Sequence, residues 1–368
     1  MERLSRREWI GLVLIGLAMT SFAIYPRVKK ISSSPEIEKI KTLKSVSEQS
    51  KELTKLLERV GPVETQEQML RSGLPFTGET HLLIHTIGTY TYDKYGLGGL
   101  SYCRDYFLSA CYHGFIINAL ADNGLNGVAE AIESCETAGI GVAPQCAHAA
   151  GHGFLAWHDY DLLKALQMCD ALGEKVSNFY YFNCYDGTFM ENIWGVHNGV
   201  PSEKRWLKDS DIYYPCTDPR IADKYLRGCW SNQATRIYQF YKQDLKKTAE
   251  ACDAVIHPGY KETCYNNFAR QIHPLTKDDN AKVLSLCSYA TGENWKNYCI
   301  LTILTSAWSV GNRTNVFELC PLLADPVQAN CFSRLVDQII YYYPDKNTRK
   351  IYCLKVSSPT HKTRCLDA

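Results

Sequence analysis

Three regimes of hydrophobic patterning follow one another along the chain. From Trp9 to Tyr25 an apolar run carries no charge, with Arg3, Arg6 and Arg7 before it and Pro26, Arg27, Lys29 and Lys30 after it. Its 17 residues reach the low end of a membrane span. Residues 1–30 therefore read either as an uncleaved signal anchor that crosses the membrane through residues 9–25 or as a cleaved signal, since Ser21-Phe22-Ala23 offers small residues for a peptidase. Next, over residues 31–62, Ile37, Ile40, Leu43 and Val46, then Leu53, Leu56 and Leu57, recur at helical spacing within a polar, charge-mixed background. This predicts an amphipathic stalk, ending at Gly61-Pro62, between the membrane and a globular part. In residues 63–368 the apolar positions again follow a helical period, as in the stretch from Cys331 to Tyr343, and no alternating strand pattern is bounded by hairpin turns. The domain is predicted to be all-α.

Cysteine spacing turns this into an architecture. The 16 cysteines begin at Cys103 and form eight pairs, whose second members lie 35, 38, 45, 35, 35, 32 and 34 residues apart. Periods of this length belong to stacked helix-turn-helix units, each burying its apolar face on its neighbours. Pairing within each unit gives Cys103–Cys111, Cys135–Cys146, Cys169–Cys184, Cys216–Cys229, Cys252–Cys264, Cys287–Cys299, Cys320–Cys331 and Cys353–Cys365, and uses every cysteine. The shifted frame strands Cys103 and Cys365 at opposite ends. Helix-start signals (Asp218-Pro219, Pro258, Asp325-Pro326, Pro359) stand upstream of the second cysteine, and aromatics recur four residues before it, as in Phe107, Tyr180, Tyr225, Tyr260 and Trp295. The second cysteine thus lies inside helix B and the first closes helix A. In one continuous helix Cys103 and Cys111 would stand about 12 Å apart, so the chain must turn between them. The expectation is a disulfide-stapled αα-hairpin solenoid of about eight units, with an insertion from Asn198 to Pro215 that lengthens one unit.

This plan resembles the disulfide-bridged Sel1/TPR-like αα-hairpin repeat proteins. Cys103-x7-Cys111 has the spacing typical of that family, the other seven pairs are wider, and the alanine- and glycine-centred consensus is missing. The resemblance covers residues 100–368 as a plan of construction and carries over no functional residue.

Paired cysteines suit an oxidising, extracytoplasmic space: periplasm, cell surface or secretory lumen. A formal net charge of +1 with mixed signs excludes a nucleic-acid footprint. Candidate chemistry lies in the histidines. Seven of ten fall between His81 and His197, and four form two His-x3-His pairs, His81/His85 and His148/His152. On a helix that spacing places both imidazoles on one face. Aligned on the second cysteine of each unit, the second residue onward is His113, then His148, then Asp186, and His152 follows one turn later. Later units carry Ser231, Asn266, Leu301, Ser333 and Asp367 there instead. His81, His85, His113, His148, His152 and Asp186 are therefore the candidate ligands of a transition metal, with Zn, Cu or Fe favoured by a His-rich set. Glu191 is the candidate general base if the site is catalytic, and His158 and His197 are second-tier. Gly114, Gly151, Gly153 and Gly187 cluster in the same helices and suggest either close backbone approach or an open cavity. The competing reading is a non-enzymatic scaffold whose groove holds a protein or peptide, with structural or pH-sensing histidines. A sugar- or cell-wall-binding module is a third.

Overall fold

The computed structural model describes residues 34–75, 77–138, 142–195, 204–276, 279–309 and 315–368. The expected anchor and the histidine at 197 lie outside them, and no helix among the described residues is long and apolar enough to cross a membrane. The described chain is all-α. An isolated bridge between Lys208 and Asp211 is the nearest approach to a strand among these residues.

The described chain opens with two helices, α1 (Pro35–Thr42) and α2 (Val46–Arg71). The Ser34 side chain caps α1 by accepting from the Ile37 amide. These helices do not stand off as a stalk. Ile37, Ile40, Leu53, Leu56 and Leu57 are fully buried in the same core as the repeats, and α2 packs on α3 (Gly78–Tyr95). Burying each such side chain stabilises by roughly 1.5–3 kcal/mol, which a solvated stalk forgoes. Gly61 does not end the helix either. Its φ of 81° bends α2 ahead of Pro62, and the helix continues to Arg71.

All eight predicted staples are present, and no cysteine is free. The turn required between Cys103 and Cys111 is made by Phe107, Leu108 and Ser109, all at positive φ. The Cα atoms of Cys103 and Cys111 are 5.5 Å apart. In every unit the second cysteine sits in the first two turns of a B helix: α4 (Ala110–Ala138), α5 (Val142–Trp157), α7 (Tyr181–Trp194), α8 (Asp223–Phe240), α10 (Pro258–Thr276), α12 (Gly292–Ser309), α14 (Val327–Tyr342) and α16 (Pro359–Asp367).

The A elements vary more. Four are regular helices, α6 (Leu162–Gly173), α9 (Leu245–Asp253), α11 (Asn280–Cys287) and α15 (Lys346–Cys353). Each opens on an aspartate whose side chain accepts a first-turn amide: Asp161, Asp244, Asp279 and Asp345. Cys135 lies in the last part of α4, which Gly124 bends into two helices. The element before Cys331 is the short α13 (Val316–Leu319) followed by a 3-10 turn. Cys103 instead follows a 3-10 turn (Gly96–Tyr102), and Cys216 stands in an irregular segment, so neither unit has the expected A helix among the described residues.

Each B helix packs on the B helix before and after it, from α3 through α16. The buried apolar residues gather in two bodies, one from Ile37 onward that takes in Trp230 and one from Ala234 to Cys365, so α8 contributes to both. The late units also reach the first. The Tyr342 hydroxyl at the end of α14 donates to Asp105 Oδ2 across 3.4 Å, a contact that a straight row of hairpins does not make. Burial raises the Asp105 carboxyl pKa, against hydrogen bonds from Ser109, Tyr342 and Tyr341.

Candidate metal centre

The five candidate histidines meet at the inner face of α3, α4 and α5. Their ring centroids are 4.9 Å apart for His81–His85, His81–His113, His113–His152 and His148–His152. They are 5.3 Å apart for His85–His113 and 5.4 Å for His113–His148. Four of the five are buried, and His81 is partly exposed at one edge.

Close helix packing makes the convergence possible. A methyl group in place of the Gly114 hydrogen would collide with the His85 carbonyl, and one at Gly88 with the Cys111 carbonyl. The same reciprocal arrangement joins α5 and α7: Gly187 lies against the His148 carbonyl and Gly151 against the Cys184 carbonyl. Of the expected close-approach glycines, Gly153 alone faces side chains, those of Leu120 and Ile117. The packing also shows that α3 is a B helix without a staple. His85-x2-Gly88 superposes in register on His148-x2-Gly151, with Leu83 at the cysteine position. One row therefore runs across five helices, through His85, His113, His148, Asp186 and Ser231.

Asp186 and Glu191 hold imidazoles in place. His148 Nδ1 donates to Asp186 Oδ2 at 2.9 Å, and His152 Nδ1 to Glu191 Oε2 at 3.0 Å. Asp186 also accepts from Ser231 and from Asn232. Burial works to raise the Asp186 carboxyl, but the hydrogen bonds from His148 and the Ser231 hydroxyl outweigh it and hold the group below the usual carboxylate range. Glu191 is fully buried, and its other oxygen accepts from the Tyr160 hydroxyl. Burial raises the pKa of that tyrosine, and the Glu191 charge adds to the rise.

Both expected carboxylates have protein partners. Asp186, expected as a metal ligand, braces His148. Glu191, expected as a general base, has both oxygens engaged in the protein interior, by His152 and Tyr160. Sequence reasoning kept Glu191 as a candidate base although the seventh position turns toward the cysteine side. It missed Tyr160, which comes from the turn after α5 and has no periodic signature. His158 is half-buried beyond the end of α5, away from the cluster.

These partners fix the nitrogens. Ionised carboxylates and carbonyls only accept, so His148 and His152 carry their protons on Nδ1. Their Nε2 atoms then face one another at 3.1 Å, a separation that a shared proton or a bound cation between them would satisfy. His81 Nδ1 donates to the Phe107 carbonyl at 2.8 Å, which leaves its Nε2 to accept from His113 Nδ1 at 3.1 Å. His113 Nε2 is buried with no hydrogen-bond partner among the described residues. Burial, reinforced by the neighbouring imidazoles, depresses the His113 pKa well below the ordinary histidine value, so its ring is neutral. Two groups of three, His113/His148/His152 and His81/His85/His113, bring one ligand atom from each residue within 4.8 Å of the others. Histidines braced through Nδ1 by carboxylate or carbonyl, with Nε2 turned inward, are the arrangement metal-binding imidazoles adopt.

No family model, curated protein or solved structure matches the chain.

Proposed function

We propose that this protein is an extracytoplasmic helical-repeat protein that binds a first-row transition metal through the histidines of α3, α4 and α5. The observation that carries the reading is the His148–His152 pair. Two Nε2 lone pairs at 3.1 Å repel unless a cation lies between them, and the two carboxylates behind them leave buried negative charge for that cation to offset. His113 completes a three-nitrogen set with them. Metal–nitrogen bonds of about 2.0–2.1 Å suit ligand atoms this close together. All-nitrogen ligation favours Zn, Cu or Fe over Ca or Mg. Access is from the His81 edge.

Eight disulfides support an oxidising compartment. Tethering through residues 9–25 and a peptide-holding groove in a solenoid are extensions that rest on the sequence pattern.

One rival follows from the same pair: a proton shared between the two Nε2 atoms, which makes the cluster a pH sensor. Elemental analysis of the full chain, purified without chelators or a histidine tag, separates them. Stoichiometric metal that disappears in His148→Ala with His152→Ala supports the metal reading. Metal-free protein that takes up no zinc or copper, or metal indifferent to that double substitution, sinks it.

A further inference from the structure

The histidine cluster is larger than one metal ion requires. Three of its members, His113, His148 and His152, already form a set of three nitrogen ligands, yet His81 and His85 also pack against His113. His113 belongs to both groups of three. Its two nitrogens diverge in the plane of the ring, and the structure commits them differently. Nδ1 faces His81 Nε2 at 3.1 Å. Nε2, buried and without a hydrogen-bond partner among the described residues, is the nitrogen left for the His148 and His152 side.

We propose that the site is dinuclear, with the His113 ring bridging two transition-metal ions. One ion is held by His81, His85 and His113 Nδ1, the other by His148, His152 and His113 Nε2. This inference rests on the metal-binding reading above and extends it to a second ion. With metal–nitrogen bonds of about 2 Å, the imidazole ring sets the ions roughly 6 Å apart. The bridge requires the anionic ring: as the metal–Nδ1 bond forms, the proton on Nδ1 leaves to solvent, and the second cation balances the charge of the imidazolate.

The close packing of α3 on α4 serves this arrangement directly. Gly114 follows His113 in sequence and lies against the His85 carbonyl, so the backbone that presents the bridging ring touches the backbone that presents its partner. Neither contact is needed for a site confined to α5 and His113.

The probe is Cu(II), added to the metal-free full chain, with bound copper counted by elemental analysis and unpaired spins counted by electron paramagnetic resonance. The expected result is two coppers per chain with a spin signal far below that of two independent ions, because the imidazolate couples them magnetically. His81→Ala with His85→Ala should leave one copper and restore its full signal, as a check that does not touch the bridge itself. One copper per chain in the unsubstituted protein overturns the bridge and leaves the metal-binding reading intact. Two coppers with the full signal of independent ions also overturn it. No bound copper overturns both.

Discussion

The two bodies of core, before and after α8, are built on one scaffold and filled differently. Both are rows of stapled B helices, and disulfides in each hold similar Cα separations, 5.8 Å for Cys169–Cys184 and 5.7 Å for Cys287–Cys299. In the first body the inner-face position two residues beyond the cysteine, or its equivalent in α3, carries His85, His113, His148 and Asp186. Glycine carbonyl contacts there bring the helices together in pairs. In the second body the same position carries Asn266, Leu301 and Ser333, and large rings fill the space between helices. Tyr265 stacks on Trp295, and Trp308 on Tyr342, with Trp308 fully buried. A repeat scaffold thus permits two kinds of interior. Where glycine lets backbones touch, short polar side chains converge into a site; where aromatics hold them apart, the interior is ordinary core.

Removing a staple from each body is the strongest way to break this comparison. Cys169→Ser with Cys184→Ser, and Cys287→Ser with Cys299→Ser, should each cost roughly 2–5 kcal/mol, read by chemical denaturation. Metal binding should fall in the first variant and persist in the folded fraction of the second. Equal loss in both would mean that the two bodies are energetically one.

Next in size is Gly187→Ala. The added methyl meets the His148 carbonyl in the backbone of α5, which no side-chain rotation relieves. Overpacking of this kind costs about 1–3 kcal/mol, and metal affinity should fall with it. Gly292→Ala, at a helix start with open space around it, serves as the control for the other body, although its φ of 75° adds local strain. If Gly187→Ala retains both stability and metal, close backbone approach is not what builds the site.

Glu191→Gln tests the bracing role. It preserves size and some hydrogen bonding but removes the charge behind His152, and should weaken metal binding about 10–100-fold, measured by competition with a chelator of known affinity. A catalytic base would leave affinity unchanged.

The smallest effect at neutral pH belongs to His273 in the second body. Burial lowers the His273 pKa from 6.5 to about 4, and its Nδ1 lies 3.2 Å from Ser306 Oγ. The unfolded chain therefore takes up this proton first. Stability is unaffected above the unfolded value and is lost as pH falls from 6.5 toward 4. His273→Gln should flatten that part of the melting-temperature profile without changing metal content. An unchanged acid slope would reassign the loss to other groups.

Much of this was legible in the sequence because it depends on local order. Cysteine period and helix-start residues dictate the staples, since a disulfide within a hairpin needs only a turn of the right length. Helical periodicity dictates which residues share a face, so His113, His148, His152 and Asp186 could be aligned before any contact was known. The His-x3-His pairs were visible for the same reason.

What the tertiary structure decided concerns the distance between elements and the partner each group finds. It gave Asp186 and Glu191 their histidine partners, because each carboxylate reaches the outer nitrogen of a histidine on α5. It brought in Tyr160 from a turn and Phe107 through a carbonyl, groups with no motif to announce them. It folded α1 and α2 onto the core, where an amphipathic stripe alone fits a stalk equally well. Periodicity specifies direction around one helix axis; the separation of two axes is set by what lies between them, and here it is set by glycines touching carbonyls.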